Sequence, residues 1–549
     1  MPLTPTPPRP PISLIHRLFS PLGLIVLAVV YLLAGLTGHD PWRGDDAAHF
    51  GPVLGMLQGE GLLFPRLAGE PVADFPPLYY WASALLARAF AWVLPLHDGA
   101  RLATALFTAL ALYWIAQASG RLYGRETRNA AVLLTLGTLG LVIHAHETQP
   151  MLAVVAMQAL TLAGLSRLTA APLAGALQAA LGAALAFVAG GFAAVLLTVP
   201  LFLLVLLVCP ECRTPRTSGA VLLGLTLALV LGAVWPVALH YQDPELFRFW
   251  WTQDLAVLVG EPLPVAEVGG LFKDIGWFVW PLWPIALWGL WIARRRLLGL
   301  PVVLPIAAIL LVALWLALSE RDTRVALLPL IAPFALLAAS GAPVLRRGAA
   351  NAFDWFGVMT FGVFAVLVWL GWTAQVIAWP PGLARHVERY GPGFVLHGET
   401  AMALIGAGIT AAWLVFAWRL PRTPNRGPGN WALGMTMLWC LAVALLMPWF
   451  DYGRSYRAPA ESLARVLADE HSDCVATTGL SPAVRASLDY FAGLRPEPVR
   501  EAGSPCKLLL VHDDRRAGPR TLPDEWKLLW EHRRGGGRQL EIFRLYQRD

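Results

Sequence analysis

Two adjacent carboxylates and an imidazole follow the first apolar run of the chain, in the stretch Trp42-Arg-Gly-Asp-Asp-Ala-Ala-His49. Carboxylates beside a membrane are unfavourable unless they are solvated or used. Asp45 and Asp46 could accept a proton from a reacting group or, together with His49, bind a divalent ion, since imidazole and carboxylate suit zinc or manganese. A second interpretation is structural, because Gly44-Asp45 is also typical of a helix start, and capping is compatible with catalysis.

A second polar cluster, His144-Ala-His-Glu147-Thr-Gln149, lies near the end of a later apolar run. His144 and Glu147 are further site candidates because they offer the same ligand types as the first cluster. If the two clusters meet in the fold, Glu147 would extend the metal set named above. Spacing along the chain does not decide whether they meet.

The composition places most of these 549 residues in lipid, because 57% are hydrophobic and only 14% are charged. Apolar runs of roughly 17 to 25 residues, long enough to cross a bilayer as helices, recur from Leu22 to Met447. The net charge of +6 is spread over short loops, so it reports topology and does not indicate nucleic acid as a partner. The first run lacks a small-residue cleavage site and is interpreted as an uncleaved membrane anchor.

Loop charge tests the number of spans. If every apolar segment crosses the membrane, the basic loop from Arg121 to Arg128 falls outside, against the positive-inside rule. Treating residues 78–95 as a juxtamembrane or re-entrant helix removes the conflict and predicts thirteen spans. The later basic loops then face the cytoplasm. The fourteen apolar segments begin near residues 21, 78, 102, 130, 150, 173, 192, 219, 274, 300, 324, 353, 399 and 430.

An odd number of spans places the two termini on opposite sides, so a cytoplasmic N-terminus predicts a periplasmic C-terminus. The predicted organisation is therefore a helical transmembrane domain over residues 1–450, with juxtamembrane helices in a periplasmic loop at 38–100, and a small α/β domain over 451–549. The unusual polar residues lie in the outer loops. These features predict a multi-pass protein of a bacterial inner membrane.

The last hundred residues alternate between helix-like and strand-like stretches. The glycine-rich run from Arg533 to Arg538 predicts a hairpin turn before a final strand. Cys474 and Cys506 lie in this domain, where an oxidising compartment allows a disulfide, although two buried thiols are an equal alternative. The pair Cys209-Pro-Glu-Cys212 has no second ligand pair nearby and is interpreted as structural. Helices are predicted at Ala458 to Glu470 and Ser481 to Gly493, and strands at Cys474 to Thr478, Lys507 to His512 and Gln539 to Tyr546.

Three motifs of the first outer loop resemble a family of membrane glycosyltransferases with the GT-C fold. That family includes protein O-mannosyltransferases and, more similar still, lipid A aminoarabinose transferases. The resemblance implies about thirteen spans, a periplasmic C-terminal domain and an active site at the acidic pair, with Asp45 at the reaction centre and Asp46 beside it. The motifs are Gly-Asp45-Asp46-Ala-Ala-His-Phe, Phe64-Pro-Arg-Leu-Ala-Gly and Asp74-Phe-Pro-Pro-Leu-Tyr-Tyr-Trp81.

The chain departs from aminoarabinose transferases where those enzymes carry cations. Their Thr-Arg-Tyr after the acidic pair is Ala47-Ala-His49 here, and their Lys before a Pro is Phe75. Their Lys-Gly between spans is Ala189-Gly190, and their Arg-Tyr ahead of a Leu-Pro is Val325-Ala326. These differences point away from aminoarabinose as the sugar.

Replacement cations are available in other outer loops. Arg321 and Arg324 break the positive-inside trend and, with His49, are the predicted ligands of a donor phosphate, whereas pairing with nearby carboxylates or lipid is the alternative. Arg248 and Lys273 are weaker candidates of the same kind.

The sequence therefore predicts an inverting glycosyltransferase. Its donor would be a sugar on a polyprenyl (undecaprenyl) phosphate, and its acceptor lipid A or another cell-envelope glycan at the periplasmic face. One alternative is a non-catalytic relative that binds lipid-linked sugar, which the missing cations favour. A transporter or flippase is the other, but such proteins often show internal repeats and charges within spans, and neither is evident here. No cofactor is predicted beyond the divalent metal.

Overall fold

The computed structural model describes residues 20–256, 258, 264–318, 323–420, 423–470, 474–499, 506–514, 525–535 and 540–548. Within these residues the chain is a bundle of apolar helices followed by a small mixed domain. Helices dominate because a backbone in hydrocarbon must satisfy its own hydrogen bonds. The helices of the bundle and its loops are α1 (Pro21–Leu33), α2 (Asp45–Leu57), α3 (Leu78–Phe90), α4 (Leu96–Leu122), α5 (Thr127–Leu136), α6 (Met151–Leu165), α7 (Pro172–Val208), α8 (Pro215–Gln242), α9 (Pro244–Ala256), α10 (Val265–Phe278), α11 (Leu282–Ala293), α12 (Leu300–Leu318), α13 (Thr323–Ala326), α14 (Ile331–Gly341), α15 (Arg347–Val376), α16 (Pro381–Tyr390), α17 (Glu399–Arg419) and α18 (Arg426–Arg454).

Eight of the described helical segments are long and apolar enough to cross a membrane, or ten if each of two bent helix pairs forms one span. The helices α1 and α6 are apolar but shorter. Helix α7 is broken by non-helical backbone at Gly190 and Gly191, where two separate segments are predicted from the sequence. Thirteen spans would require counting both short helices and both halves of α7, so that number stays a prediction.

Small residues let the helices at the centre of the bundle approach closely. A Cβ added at Gly164 of α6 would lie 2.8 Å from the Cβ of Ala179 of α7, and one at Gly224 of α8 would lie 3.1 Å from that of Ala176. Such contacts replace the hydrophobic drive that lipid cannot supply between helices. The trio α6, α7 and α8 is therefore closely packed.

The segment predicted as juxtamembrane contains α3, which has 13 residues and is not among the long apolar helices. It lies in the same outer segment as α2 and a two-stranded antiparallel hairpin. These elements pack on each other and on α4. The hairpin strands are β1 (Arg66–Leu67) and β2 (Glu70–Pro71).

The C-terminal domain packs two helices on a five-stranded sheet. Helix α18 continues through Arg454, so the domain's first helix begins a few residues beyond the predicted boundary at 451. The sheet order is β4-β3-β5-β7-β6, parallel among the first three strands and antiparallel among the last three. Its elements are α19 (Arg457–Glu470), β3 (Val475–Thr477), α20 (Pro482–Ala492), β4 (Glu497–Pro498), β5 (Leu508–Asp514), β6 (Trp526–Arg534) and β7 (Glu541–Arg548).

Both predicted helices and all three predicted strands of this domain are confirmed to within a few residues. The predicted turn falls partly on residues 536–539, which lie outside the described residues, but strands β6 and β7 on either side of it pair antiparallel, with Arg534 opposite Glu541. Strands β4 and β6 have no counterpart among the predictions. Cys474 and Cys506 form a disulfide, which decides between the two alternatives left by the sequence.

Candidate active site

Helix α2 begins at the acidic pair. Gly44 precedes it with φ of 101°, a backbone conformation that residues with a side chain rarely adopt, and it makes no side-chain capping bond. Asp45 and Asp46 therefore occupy the first turn, where negative charge interacts favourably with the helix dipole. The structural interpretation is thus confirmed as far as the helix start is concerned, because Gly44 is the N-cap residue and Asp45 is the first residue of α2.

Asp46 is buried and makes a two-point ion pair with Arg101 of α4. The Arg101 Nη2 and Nε atoms lie 2.8 Å and 3.2 Å from the two carboxylate oxygens, and both side chains are at most 1% exposed. The backbone N–H groups of Trp42 and Thr148 also donate to Asp46, at 2.9 Å and 2.7 Å. Burial by itself would raise the pKa of Asp46, but the attraction and hydrogen bonds of Arg101 hold that pKa well below its usual value. Asp46 is therefore an ionised carboxylate whose two oxygens are both engaged by hydrogen bonds, and we call it the anchor of the pair.

Arg101 ties the anchor to the rest of the first outer loop. It donates to the backbone carbonyls of His39 and Asp40, at 2.9 Å and 2.7 Å, and to the Asp98 carboxylate at 2.8 Å. Burial and the nearby guanidinium of Arg101 lower the pKa of His39 to about 3, so this imidazole is neutral. One arginine thus fixes the loop that leads into α2.

The second polar cluster contacts α3 and α4 through backbone and hydroxyl groups, in addition to the hydrogen bond from the Thr148 N–H to Asp46 of α2. Thr104 of α4 donates to the carbonyl of Glu147 at 2.7 Å, and its hydroxyl lies 2.6 Å from that of Tyr79. The N–H of Gln149 donates to Tyr79 at 3.1 Å. The two clusters singled out in the sequence are therefore brought together in the fold.

Asp45 has a different environment from its neighbour. It is partly buried, and its Oδ2 accepts one long hydrogen bond of 3.5 Å from the Gln149 side chain. A carboxylate held at a site but lightly bonded can accept a proton from an incoming group. The adjacent acids therefore divide into an anchor, Asp46, and an accessible carboxylate, Asp45.

Glu147 adds a third carboxyl group beside this pair. Its oxygens lie 3.8 Å from Arg454 Nη1 and 3.9 Å from His144 Nδ1, beyond hydrogen-bond distance. Burial, reinforced by the negative charges of Asp46 and Asp45, raises the pKa of Glu147 to about 8, although Arg454 opposes the shift. Glu147 is therefore mostly protonated at neutral pH.

His49 faces the aromatic side of the loop. Its Nδ1 lies 3.0 Å from the Tyr80 hydroxyl, and its ring meets Phe75 edge to face. Burial lowers the pKa of His49 even though Asp45 and Asp74 oppose the shift. As a donor-phosphate ligand His49 would thus supply a neutral N–H and not a cation.

The predicted metal set does not fit a divalent ion in this arrangement. Both oxygens of Asp46 are occupied by Arg101 and backbone N–H groups, and the ligand atoms of Asp45, Asp46 and His49 do not gather within 4.8 Å. In the described part of the chain, the one group with ligand spacing is Cys474, Glu497 and Cys506, whose two sulfurs form the disulfide.

The remaining predicted cations belong to segments that the sequence predicts to be outer loops. Arg321 is outside the described residues, and Arg324 is exposed in α13. Arg248 lies 4.0 Å from Glu245 within α9, with both side chains mostly exposed, and Lys273 is exposed on α10. Their roles at a donor site stay predictions.

Sequence reasoning missed two arginines that the fold brings to the two polar clusters. Arg101 is one. The other is Arg454, at the end of α18, whose guanidinium lies 5.2 Å from the Trp42 ring and next to Glu147. Its Nε is buried with no hydrogen-bond partner among the described residues. An available signal was its position at the predicted outer end of the last span, against the positive-inside trend.

The C-terminal domain holds the loop from the other side. Asp40 bonds to Arg457 through both oxygens and to the Ser455 hydroxyl, and its N–H donates to Asp451 at 2.9 Å. A Cβ added at Gly51 of α2 would lie 2.9 Å from that of Ala486, so α2 packs directly on α20. The domain therefore positions the helix that carries the acidic pair.

Comparisons with known proteins identify the fold. No family model matches the chain. It is similar to the undecaprenyl phosphate-alpha-4-amino-4-deoxy-L-arabinose arabinosyl transferase of Aeromonas salmonicida, with 27% identity over 291 residues, which are 50% of this chain and 48% of that protein. A second such transferase, from Pseudomonas fluorescens, is 27% identical over 239 residues, 42% and 40% of the two chains. The chain thus spans about half the length of the curated relatives it matches.

The structural similarity covers nearly the whole chain. The crystal structure of ArnT from Cupriavidus metallidurans bound to undecaprenyl phosphate superposes with a TM-score of 0.66 over 95% of this chain and 97% of ArnT, at 15% identity. Its apo structure gives the same TM-score and coverage at 14% identity. The fold and site define a multi-pass membrane protein of the GT-C type, as predicted from the sequence.

Proposed function

We propose that the chain is an inverting glycosyltransferase that moves a sugar from a polyprenyl (undecaprenyl) phosphate to lipid A or another cell-envelope acceptor. The observation that carries the proposal is the division of labour in the acidic pair. Asp46 is held by Arg101 and two backbone N–H groups, whereas Asp45 keeps a lightly bonded carboxylate beside it. A helix start does not require a lightly bonded carboxylate such as that of Asp45, whereas a proton-transfer site does.

Asp45 acts as the general base. The acceptor's hydroxyl or amine attacks the anomeric carbon and passes its proton to Asp45, while the bond from that carbon to the phosphate oxygen breaks. The phosphate leaves on the polyprenyl carrier with the bonding electron pair, and attack from the opposite face inverts the anomeric centre. A positioned base contributes about 10²- to 10⁴-fold in rate.

Arg454 stabilises the departing phosphate, alone or with Arg324 and the other predicted cations. It is available for this role because its nearest carboxyl, Glu147 at 3.8 Å, has its pKa raised to about 8 by burial and is mostly neutral. A charged donor aimed at developing negative charge lowers the barrier of such reactions. Arg454 would thereby replace cations that aminoarabinose transferases carry elsewhere.

The relatives support the donor class. Both curated relatives are undecaprenyl-phosphate aminoarabinose transferases, and the ArnT structure contains undecaprenyl phosphate. The sugar is not carried over with it, because the family's Lys before the Pro is Phe75 and the position after the acidic pair is Ala47. We leave the identity of the sugar to experiment.

The proposed orientation places the site outside. A cytoplasmic N-terminus with a periplasmic C-terminal domain keeps Asp45 on the periplasmic face, together with the proposed acceptor. A periplasm-specific reporter fused after Asp549 is expected to be active, and one fused at Arg346 inactive. The reverse pattern at either position contradicts the proposed topology.

The function is tested by mass spectrometry of envelope lipids and glycans from cells with and without the protein. A sugar mass that is lost on deletion names the product, and re-expression is expected to restore it. Asp45→Asn should abolish restoration while the protein remains folded and abundant. Glu388→Gln, an exposed carboxylate on α16, is the matched control. An unchanged set of masses on deletion, or full restoration by Asp45→Asn, contradicts the proposal.

A further inference from the structure

A cleft of about 910 Å³ lies where the membrane bundle meets the C-terminal domain. We call it the junction cleft. Its floor comes from the ends of α17 and α18 and its roof from α19 and the end of β6. The residues that matter below are Met402, Val443 and Met447 on the floor and Arg457, Arg533 and Arg534 on the roof.

The junction cleft is separate from the acidic site. Its lining includes Asp40 but not Asp45, Asp46 or Glu147. The side chain of Asp40 bonds to Arg457 and Ser455 on the cleft side, whereas its carbonyl accepts from Arg101 on the other. The two sites therefore share a wall, and neither needs the other's side chains.

The chemistry of the cleft changes from floor to roof. The floor residues Met402, Val443 and Met447 are apolar, and they lie on helices that are long and apolar enough to cross a membrane. The roof carries three arginines from a domain outside it. A soluble ligand would leave the floor unused, whereas an amphiphile matches both halves. The volume is within the range of about 300 to 1,000 Å³ typical of ligand pockets.

The charges of the roof are not all available. Arg457 is neutralised by both oxygens of Asp40 and lies 3.7 Å from Glu461. Asp451, which also lines the cleft, accepts from the Asp40 N–H and from Trp42 Nε1. The acidic residues of the lining are thus engaged by protein donors, apart from the largely exposed Glu461.

The other two arginines of the roof are each paired with a glutamate. Arg534 is 8% exposed, and its Nη1 and Nη2 donate to Glu541 at 2.6 Å and to the Gly453 carbonyl at 2.7 Å. Its Nε is buried without a partner in the part of the chain that the structure describes. Arg533 pairs with Glu531 at 2.7 Å but is 66% exposed. A buried unsatisfied donor beside an exposed cation is a site for an anion, because such a donor is costly unless it is bonded.

We propose that the junction cleft binds a membrane lipid with an anionic phosphate head, its head at Arg533 and Arg534 and the start of its chains on the apolar floor. This binding does not require sugar transfer. It would place a phosphate-bearing lipid next to the loop that carries the acidic pair.

The test measures lipid binding to the purified full chain by native mass spectrometry, with phosphatidylglycerol, phosphatidylcholine and glycerol phosphate as probes. The wild-type chain is expected to retain phosphatidylglycerol in preference to the other two. Arg534→Gln should weaken that binding by about tenfold or more, as expected for loss of a charge-assisted hydrogen bond. Ala458→Trp, at an exposed residue of the lining, should weaken it by filling the cleft without changing charge.

Controls separate binding from folding and from transfer. Arg465→Gln removes an exposed cation of α19, the helix that also carries Ala458. Arg465 is not part of the cleft lining, so this variant should leave lipid binding unchanged. Because Arg534 also supports the domain, Arg533→Gln gives a second variant, and melting temperatures report folding. Asp45→Asn should bind phosphatidylglycerol like the wild type, whatever its activity. Equal binding of phosphatidylcholine, equal binding of glycerol phosphate, or undiminished binding in Ala458→Trp overturns the proposal.

Discussion

The two acids of the pair should respond oppositely to the same conservative change. Asp46→Asn removes one partner of a buried ion pair in which Arg101 is fully enclosed. It also places an amide N–H where an oxygen accepts from Trp42 or from Thr148. Breaking a buried pair by removing one partner costs about 3 to 5 kcal/mol. Asp98 still neutralises part of the Arg101 charge at 2.8 Å, so we expect a loss of about 3 kcal/mol, near the low end of that range.

Asp45→Asn should change stability little, because its one hydrogen bond is 3.5 Å long and the side chain is only partly buried. Substitutions away from buried networks usually stay within about 0.5 kcal/mol. The rate of sugar transfer, in contrast, should fall by about 10²- to 10⁴-fold in Asp45→Asn, because Asp45 is the proposed general base. Stability and activity therefore separate the two roles.

The measurement is denaturant unfolding of both purified variants in detergent, alongside restoration of the lost sugar mass in cells. The depressed pKa of Asp46 means that its stabilisation is present above the ordinary carboxyl pKa and is lost only as pH falls below it, so neutral buffer is suitable. If Asp46→Asn unfolds like the wild type, the anchor assignment is refuted. If only Asp46→Asn loses activity while remaining folded, the catalytic role shifts by one residue.

The remaining predictions concern the residues around the pair. Arg454→Gln should weaken use of the polyprenyl-phosphate donor by about 1.5 to 3 kcal/mol, with partial recovery in Arg454→Lys, measured as the donor concentration at half-maximal transfer. Equal donor dependence in Arg454→Gln and in the control Arg465→Gln would contradict that role. The raised pKa of Glu147 implies that its neutral form favours folding below the ordinary carboxyl pKa and that this advantage declines until pH reaches about 8. The melting temperature should therefore fall less between about pH 5 and about pH 8.5 in Glu147→Gln than in the wild type. If the melting temperatures of the two proteins change in parallel with pH, the raised pKa of Glu147 is refuted.

Local pattern was enough for the architecture of the chain. Apolar runs predict helices because a backbone in lipid must bond to itself, and alternating short segments predict the α/β domain. All five elements that the sequence indicated there lie within a few residues of α19, β3, α20, β5 and β7. Strand β6 was not predicted, since several of its residues are polar and its pairing with β7 is a tertiary contact.

The acidic pair, and its position in an outer loop, are properties of the sequence by itself, because the residue types and the preceding apolar run lie next to each other. The different roles of Asp45 and Asp46 are not a property of the sequence by itself, because they depend on Arg101, which lies 55 residues from Asp46 along the chain. The same holds for Arg454 beside Glu147 and for the disulfide across 32 residues. Electrostatic roles depend on distance and burial, which only packing determines, whereas helix and span depend on neighbours along the chain.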